Sequence, residues 1–155
     1  MNIGFYFFDK GLSGVDCSRP DLGNPGVGGT QYCFLLLIYY ILRFDPKSYR
    51  VRVYCSSDCF FPQGVEKVLV EDIFEGLTES KRRGDDFIII KDNKDQQLAR
   101  FIDKLRHRIV IWGHNFYFGD YADWVAKSPS VIANVFVGRQ QYDRYICLLY
   151  TSDAA

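Results

Sequence analysis

The sequence predicts an α/β fold, in which a parallel β-sheet is covered by helices on both faces. Short apolar runs alternate along the chain with longer segments of helical periodicity. Several of the short runs are continuously apolar, as in strands that are buried on both sides. The chain has 155 residues, of which 48% are apolar and 17% aromatic. This length suits one domain with a substantial core.

A long loop separates the first predicted strand from the first predicted helix. Residues 3–8 form a continuous apolar run and predict a central strand. Residues 9–29 are rich in Gly, Pro, Ser and Asp, and loops of this length in a compact domain are usually functional or disordered. Residues 30–43 are apolar on nearly all sides, which predicts a buried helix. Asp45 and Pro46 end that helix.

The middle of the chain continues the alternation. Polar and apolar residues alternate over 49–54, which predicts a strand, and 65–70 predict a weaker one. Residues 73–84 fit either a short helix or a loop. Residues 86–90 are apolar enough to predict a buried strand.

Residues 93–108 form the clearest amphipathic helix of the sequence. Asn93 can cap its start, with Gln96 three residues later as in a capping box. Apolar residues recur at i, i+3, i+4 and i+7 and form one stripe: Leu98, Phe101, Ile102 and Leu105. The remaining segments predict a strand, a helix, a strand and a helix, in that order: 109–112, 120–127, 130–137 and 138–146.

Composition argues against several classes of protein. The formal net charge is zero, so the whole chain carries no basic field for nucleic acid or anionic lipid. The start lacks the layout of a signal peptide, and the longest apolar run, 32–42, is too short to span a bilayer. We therefore expect a cytoplasmic protein. Peripheral contact with the inner face of a membrane stays open.

The five cysteines favour buried free thiols in a reducing cytosol over a disulfide or a metal site. They form no Cys-x-x-Cys pair, and no histidine accompanies the closest two, so we expect no zinc. The cysteines are Cys17, Cys33, Cys55, Cys59 and Cys147.

The last nine residues, 147–155, read like a translated sequencing-adapter tail. We therefore expect one domain over residues 1–146, in a natural chain that was cut near Ile146.

Two segments are predicted to leave the sheet at the carboxyl ends of strands, where open parallel sheets bind their ligands. The first is the glycine-rich loop that runs from Gly23 to Thr30. Glycines packed this densely before a helix would let the backbone approach a ligand and direct free N–H groups at an anion, above all a phosphate. The alternative is a flexible loop whose glycines only form turns.

Two known phosphate-binding motifs do not fit this loop. The dinucleotide fingerprint G-x-G-x-x-G lacks its third glycine here, and residues 9–29 are too long for its tight turn. A Walker loop is excluded because no Gly-Lys-Ser/Thr occurs.

The second segment is Gly113-His114-Asn115, directly after the strand at 109–112. His114 could hydrogen-bond a sugar hydroxyl or act as a general acid or base near neutral pH. The alternative is a histidine bonded to the backbone of a loop. His107, in a charged helix end, is expected to be solvated. A nearby aromatic cluster could line a sugar or lipid site but is more often core: Phe116, Tyr117, Phe118, Tyr121 and Trp124.

At these two segments the sequence resembles the amino-terminal domain of a family 4 glycosyltransferase with the GT-B fold. The matching pieces are the first strand, 2–7, the loop 26–30 that leads into a helix, and the strand end 111–115. Residues 135–143 resemble the family's later strand and helix start, where Gly138 stands nearest to a common site serine. The order and spacing match across roughly residues 1–146.

The resemblance implies a Rossmann-like amino-terminal half of a GT-B enzyme. Such an enzyme moves a sugar from a nucleotide-sugar donor to a glycan or lipid-linked acceptor, with retention of anomeric configuration and without a metal cofactor. Gly28 and Gly29, with Thr30 beside them, match the loop that approaches the donor's diphosphate. His114 matches a histidine near the reacting carbon of the donor sugar, and Asn115 is a weaker candidate for substrate binding in the same turn.

The sequence departs from the family in one respect. The paired glutamates and the basic residues that stabilise the leaving diphosphate belong to a carboxyl-terminal domain, which this sequence lacks. Because that stabilisation is a large electrostatic term, we expect no useful transferase activity from this chain alone. Two other functions stay open: a non-catalytic nucleotide or sugar-phosphate binding module, and an NAD-dependent oxidoreductase domain with a degenerate fingerprint.

Overall fold

The computed structural model describes residues 1–115 and 120–152 and confirms the predicted fold class. Six parallel strands form one sheet in the order β3-β2-β1-β4-β5-β6, as in Rossmann-like folds. The strands are β1 Asn2–Tyr6, β2 Arg50–Cys55, β3 Val65–Leu69, β4 Phe87–Lys91, β5 Ile109–Gly113 and β6 Val131–Phe136. The described α-helices are α1 Gly29–Phe44, α2 Ile73–Arg82, α3 Gln96–Leu105, α4 Asp120–Lys127 and α5 Arg139–Ser152.

The chain divides into two compact units, Met1–Ile88 and Ile89–Ala155. In the first unit β2 pairs with β1 on one side and with β3 on the other, both in parallel. In the second unit β5 pairs with β6, with a register shift between Ile109 and Val110. No helix within the described ranges is both long and apolar enough to cross a membrane.

Helix α1 is less buried than its composition predicts. Only the stripe formed by Phe34, Leu35 and Ile38 is buried, and the Phe34 ring packs edge-on against Phe5 of β1. Phe44 at the end of the helix is 90% exposed. The expectation of burial on nearly all sides was wrong, because a helix that packs on a sheet buries only the face that contacts the sheet.

A buried carboxylate joins three elements of the first unit. The Asp85 side chain is fully buried. Arg52 Nη1 donates to it over 2.6 Å, the Tyr54 hydroxyl over 2.6 Å and the Ser80 hydroxyl over 2.8 Å. Burial, together with this carboxylate, raises the pKa of Tyr54. A Cβ at Gly4 of β1 would lie 2.8 Å from an Asp85 oxygen, so the network requires glycine there.

Helix α3 has the predicted stripe but a different start. Leu98 and Ile102 are buried. The helix begins after Asp95, whose carboxylate accepts from the Gln97 amide over 2.8 Å. Asn93 instead accepts from the Asp95 amide over 3.0 Å and forms a turn before the helix. The predicted cap at Asn93 was therefore wrong, since asparagine also bonds its own backbone two residues on.

His107 is buried, not solvated as the sequence predicted, with 6% of its surface exposed. The residue before it, Arg106, ends α3 in the left-handed conformation, with φ 52°. A left-handed residue at a helix end turns the chain sharply. Here it leads His107 into the protein while Arg106 and Arg108 stay exposed.

The thiols are free, and three of them are buried, as predicted: Cys17, Cys55 and Cys59. Burial raises the pKa of the Cys17 thiol to about 11 and that of Cys55 to about 12. The prediction of burial was wrong for the other two: Cys147 is exposed, and Cys33 is half-buried because it lies beside the buried stripe of α1 and not in it.

The Asp85 network yields a prediction about stability. Replacing Asp85 by Ala removes the acceptor of the Tyr54 and Ser80 hydroxyls and one of the two carboxylates that pair with Arg52, so the free energy of unfolding should fall by about 1–3 kcal/mol. Urea denaturation measures it. Asp58→Ala is the matched control, because the Asp58 carboxylate pairs with Lys67 and is 74% exposed. That control should cost less than about 1 kcal/mol. Equal losses in the two variants would contradict the assigned role of Asp85.

Candidate functional site

The loop before α1 is held by hydrogen bonds from one asparagine. Asn24 Oδ1 accepts from the amides of Gly26 over 3.0 Å and Val27 over 2.9 Å, and its Nδ2 donates to the Val27 carbonyl over 2.9 Å. Gly23 and Gly26 have positive φ, which favours glycine. These two glycines form turns, as the alternative explanation of the loop required.

Gly28 and Gly29 have a different role, because neither has a positive φ. Gly28 is the N-cap of α1, and no side chain caps this helix. The Tyr32 amide donates to the Gly28 carbonyl over 2.9 Å and begins the helical ladder. The amides of Gly29, Thr30 and Gln31 therefore have no acceptor within the helix, as at every helix start.

The space beside Gly29 is open. A Cβ built there meets no described atom within 4 Å, so neither backbone conformation nor packing requires a glycine. A Cβ at Gly28 would collide with Oε1 of Gln31, the flexible end of a side chain. Gln31 Nε2 donates to the Phe8 carbonyl over 3.1 Å and ties the first turn of α1 to the segment after β1. The helix start is thus fixed in place and accessible to an anion.

Asp9, which the sequence analysis missed, holds the beginning of the same loop. It is buried and accepts from the Ser56 amide over 3.0 Å, the Ser56 hydroxyl over 2.8 Å and the Ser57 amide. Burial, with a contribution from this carboxylate, raises the pKa of Tyr6 to about 12. Asp9 therefore joins the end of β2 to the segment after β1. The available signal was its place as the first polar residue after an apolar run.

In the second unit, Asp92 holds the turn that carries His114 and Asn115. Asp92 follows β4 and is buried. Its carboxylate accepts from the Asn115 amide and from Asn115 Nδ2, each over 3.2 Å, and from the His114 amide over 3.4 Å. No site predicted from the sequence included Asp92, although it is the first acidic residue after a predicted buried strand.

Gln141 at the start of α5 completes this arrangement. It is buried, its Nε2 donates to the Asn115 carbonyl over 2.7 Å, and its Oε1 accepts from the Val137 amide over 3.1 Å. Polar side chains thus connect the carboxyl ends of β4, β5 and β6. The sequence carried no signal for this contact, because it depends on how α5 lies on the strands.

The ring of His114 has an unused nitrogen. Its Nε2 is buried and has no hydrogen-bond partner within residues 1–115 and 120–152. A buried polar atom without a partner costs stability unless water or a ligand bonds it. Only the backbone amide of His114 is held by Asp92, so the ring nitrogen is available to a ligand.

The predicted site residues fall into one group in each unit. Gly28, Gly29 and Thr30 lie together at the start of α1, in the first unit. His114 and Asn115 lie together after β5, in the second unit. Each group follows the carboxyl end of a strand, as predicted.

The aromatic cluster is described only in part, since Phe116, Tyr117 and Phe118 lie outside the described residues. Tyr121 accepts from the Asn93 amide over 3.2 Å. Trp124 donates to Asp103 over 2.9 Å. These hydrogen bonds give Tyr121 and Trp124 a structural role.

Comparisons with known proteins leave the family open. No family model, no curated protein and no solved structure matches the chain. Among the described residues no group of three or more His, Cys, Asp or Glu side chains could hold a metal ion. Function is therefore inferred from the fold and from the two groups of site residues.

The Asp92 contacts yield the second prediction. Asp92→Ala removes the acceptor for three donors, so the free energy of unfolding should fall by about 1–3 kcal/mol. The amides of His114 and Asn115 should exchange with solvent faster in native-state hydrogen exchange. Asp143→Ala is the control, because the Asp143 carboxylate pairs with an exposed arginine on α5. Unchanged exchange at residues 114 and 115 in Asp92→Ala would refute the role given to Asp92.

Proposed function

We propose that this chain is the amino-terminal domain of a retaining glycosyltransferase of the GT-B type. The enzyme would move a sugar from a nucleotide-sugar donor to a glycan or lipid-linked acceptor, as in polysaccharide biosynthesis. The observation that carries the proposal is Gly29, a glycine that neither conformation nor packing requires, at a helix start with no side-chain cap. It begins α1, directly after the loop that follows β1. In the sheet order, β2 and β3 lie on one side of β1 and β4, β5 and β6 on the other. Doubly wound sheets bind their ligands at such loops.

The first turn of α1 suits a diphosphate. The amides of Gly29, Thr30 and Gln31 supply hydrogen-bond donors, and the helix dipole adds partial positive charge at the same end. Glycines at positions 28 and 29 let phosphate oxygens reach the backbone. The Thr30 hydroxyl adds a side-chain donor.

His114 and Asn115 suit the sugar. The free Nε2 of His114 can bond a sugar hydroxyl near the reacting carbon. Asn115 Nδ2 is bound to Asp92, which leaves its Oδ1 to accept from another hydroxyl. Asp92 and Gln141 hold the main chain of this turn by hydrogen bonds, so the Cα positions of His114 and Asn115 are fixed before a ligand binds.

The rest of the chemistry belongs to a carboxyl-terminal domain in this proposal. That domain would supply the glutamates and cationic groups that stabilise the leaving diphosphate. This chain alone would bind a nucleoside diphosphate but turn over no donor sugar. No metal is assigned a role. We place the enzyme in the cytoplasm, with the inner face of the membrane as a second option because of its lipid-linked acceptors.

One observation favours an NAD-binding domain as the second candidate. The strand order is also that of dinucleotide-binding domains. Residues 7–28, however, separate β1 from α1, where a dinucleotide needs a tight turn. The chain after β2 reads Ser56-Ser57, without the acidic residue that would hold the ribose directly after the strand. Tight binding of NAD in calorimetry would favour this candidate.

The proposal predicts opposite effects of one substitution on binding and stability. Gly29→Ala places a methyl group where the phosphates would lie. Binding of UDP, ADP and GDP to the chain, measured by calorimetry, should weaken about tenfold. The free energy of unfolding should rise by about 0.5 kcal/mol, because alanine restricts the unfolded chain.

Arg100→Ala is the control, since Arg100 is an exposed residue of α3 that belongs to neither group of site residues. It should leave the nucleotide affinities unchanged. Unaltered affinity in Gly29→Ala, or no binding of any of the three nucleotides by the unsubstituted chain, would overturn the assignment of α1.

A further inference from the structure

A cavity of about 380 Å³ lies at the amino ends of β5 and β6. Its lining consists of Arg106, His107, Arg108, Pro129 and Ser130. Arg108 immediately precedes β5, whereas His114 directly follows it. The length of that strand therefore separates this cavity from the residues assigned to the donor sugar, and the proposed transfer makes no use of it.

The two arginines of the cavity are free to bind an anion. Neither guanidinium forms an ion pair with any residue that the structure describes. The carboxylate of Asp103, the nearest acidic residue along the chain, already accepts from Trp124 Nε1 and the Ser128 hydroxyl. Among the described residues, therefore, no carboxylate pairs with either of these two exposed guanidinium groups.

A cavity of the first unit offers a contrast. It measures about 350 Å³ and is also lined by two arginines, Arg19 and Arg43. Arg19 is bound by both carboxylate oxygens of Asp21, each over 2.9 Å. Arg43 donates to the Tyr39 hydroxyl over 3.0 Å. These arginines already have partners, whereas Arg106 and Arg108 form no ion pair with any described residue.

Arg106 occupies a backbone position that disfavours it. It is the one non-glycine residue with positive φ in residues 1–115 and 120–152. Glycine is the usual residue at a left-handed helix end, and any other side chain there costs stability. The fold alone therefore does not account for an arginine at this place.

The walls of the cavity are fixed. The Ser130 hydroxyl donates to the Ile102 carbonyl over 3.3 Å, and the Ile109 amide donates to the Ser130 carbonyl over 2.8 Å. Both Ser130 and His107 are buried. A binding site here would thus present the guanidinium groups of Arg106 and Arg108 beside buried, hydrogen-bonded residues.

We propose that Arg106 and Arg108 bind a phosphate-type oxyanion in this cavity. Guanidinium groups match the oxygens of a phosphate in paired hydrogen bonds, and two of them can hold one group from two sides. The cavity has room for a phosphate and part of the molecule that carries it. That molecule is either a soluble phosphate ester or the headgroup of an anionic lipid, which share this chemistry.

The test uses the full chain and two sets of probes. Inorganic phosphate and pyrophosphate are titrated by NMR, and vesicles of phosphatidylcholine with or without phosphatidic acid are used for co-sedimentation. We expect saturable binding of at least one probe, weakened about tenfold by Arg106→Gly and by Arg108→Ala. Arg106→Gly should melt at or above the temperature of the unsubstituted chain, because glycine relieves the left-handed residue.

Arg100→Ala is the matched control, since Arg100 is an exposed residue of α3 that does not line the cavity. It should keep full binding. Loss of soluble-anion binding in the two cavity variants identifies a phosphate ester as the ligand, and loss of vesicle binding alone identifies a lipid headgroup. For the soluble anions, binding at the cavity is read from shifts at residues 106–108, apart from any shifts at the start of α1. Binding at the cavity or to vesicles that survives both cavity variants, falls equally in Arg100→Ala, or is absent with every probe would overturn the proposal.

Discussion

The start of α1 is the constraint on which the account depends. Its first amides have no acceptor within the helix, and its N-cap is a glycine without a side chain to accept from them. The contrast with α2 and α3 is direct, since Asp72 and Asp95 cap those helices with their carboxylates. Water or a bound anion must bond the free amides of α1. A helix that begins with glycine lacks a side-chain cap, and a bound anion can accept the hydrogen bonds that such a cap would otherwise accept.

Buried carboxylates fix the surroundings of both groups of site residues. Asp9 joins the segment after β1 to the end of β2, and Asp92 joins the turn after β5 to the end of β4. Each satisfies several donors at once, which rigid loops need if they are to present ligand-binding groups. Asp85 likewise accepts several hydrogen bonds inside the first unit, where it stabilises β2. The site residues thus rest on loops whose positions are set before any ligand arrives.

The positions of most strands and helices could be predicted from the sequence, because apolar residues recur with a different period in each. The apolar stripe of α3 and the continuous run of β4 predicted their elements well. Burial was harder to predict, since α1 is apolar on all sides but lies on only one face of a sheet. His107 was misassigned for a related reason, because the left-handed turn at Arg106 redirects the chain.

The candidate site was readable only where a local pattern marked it. Gly28, Gly29 and His114 stand directly at a helix start or after a strand, and the structure has them there. Asp92 and Gln141 were missed, because their contacts with Asn115 join residues far apart in the chain. Sugar transfer itself stays a proposal, which rests on a resemblance at short motifs and on the chemistry of these groups.

The most direct measurement is a titration of the isotopically labelled chain with UDP, ADP and GDP, followed at every backbone amide by NMR. We predict that the largest saturable shifts occur at Gly29, Thr30 and Gln31 and depend on the diphosphate rather than on the base. Saturable shifts confined to other parts of the chain, with the first turn of α1 unmoved, would contradict it.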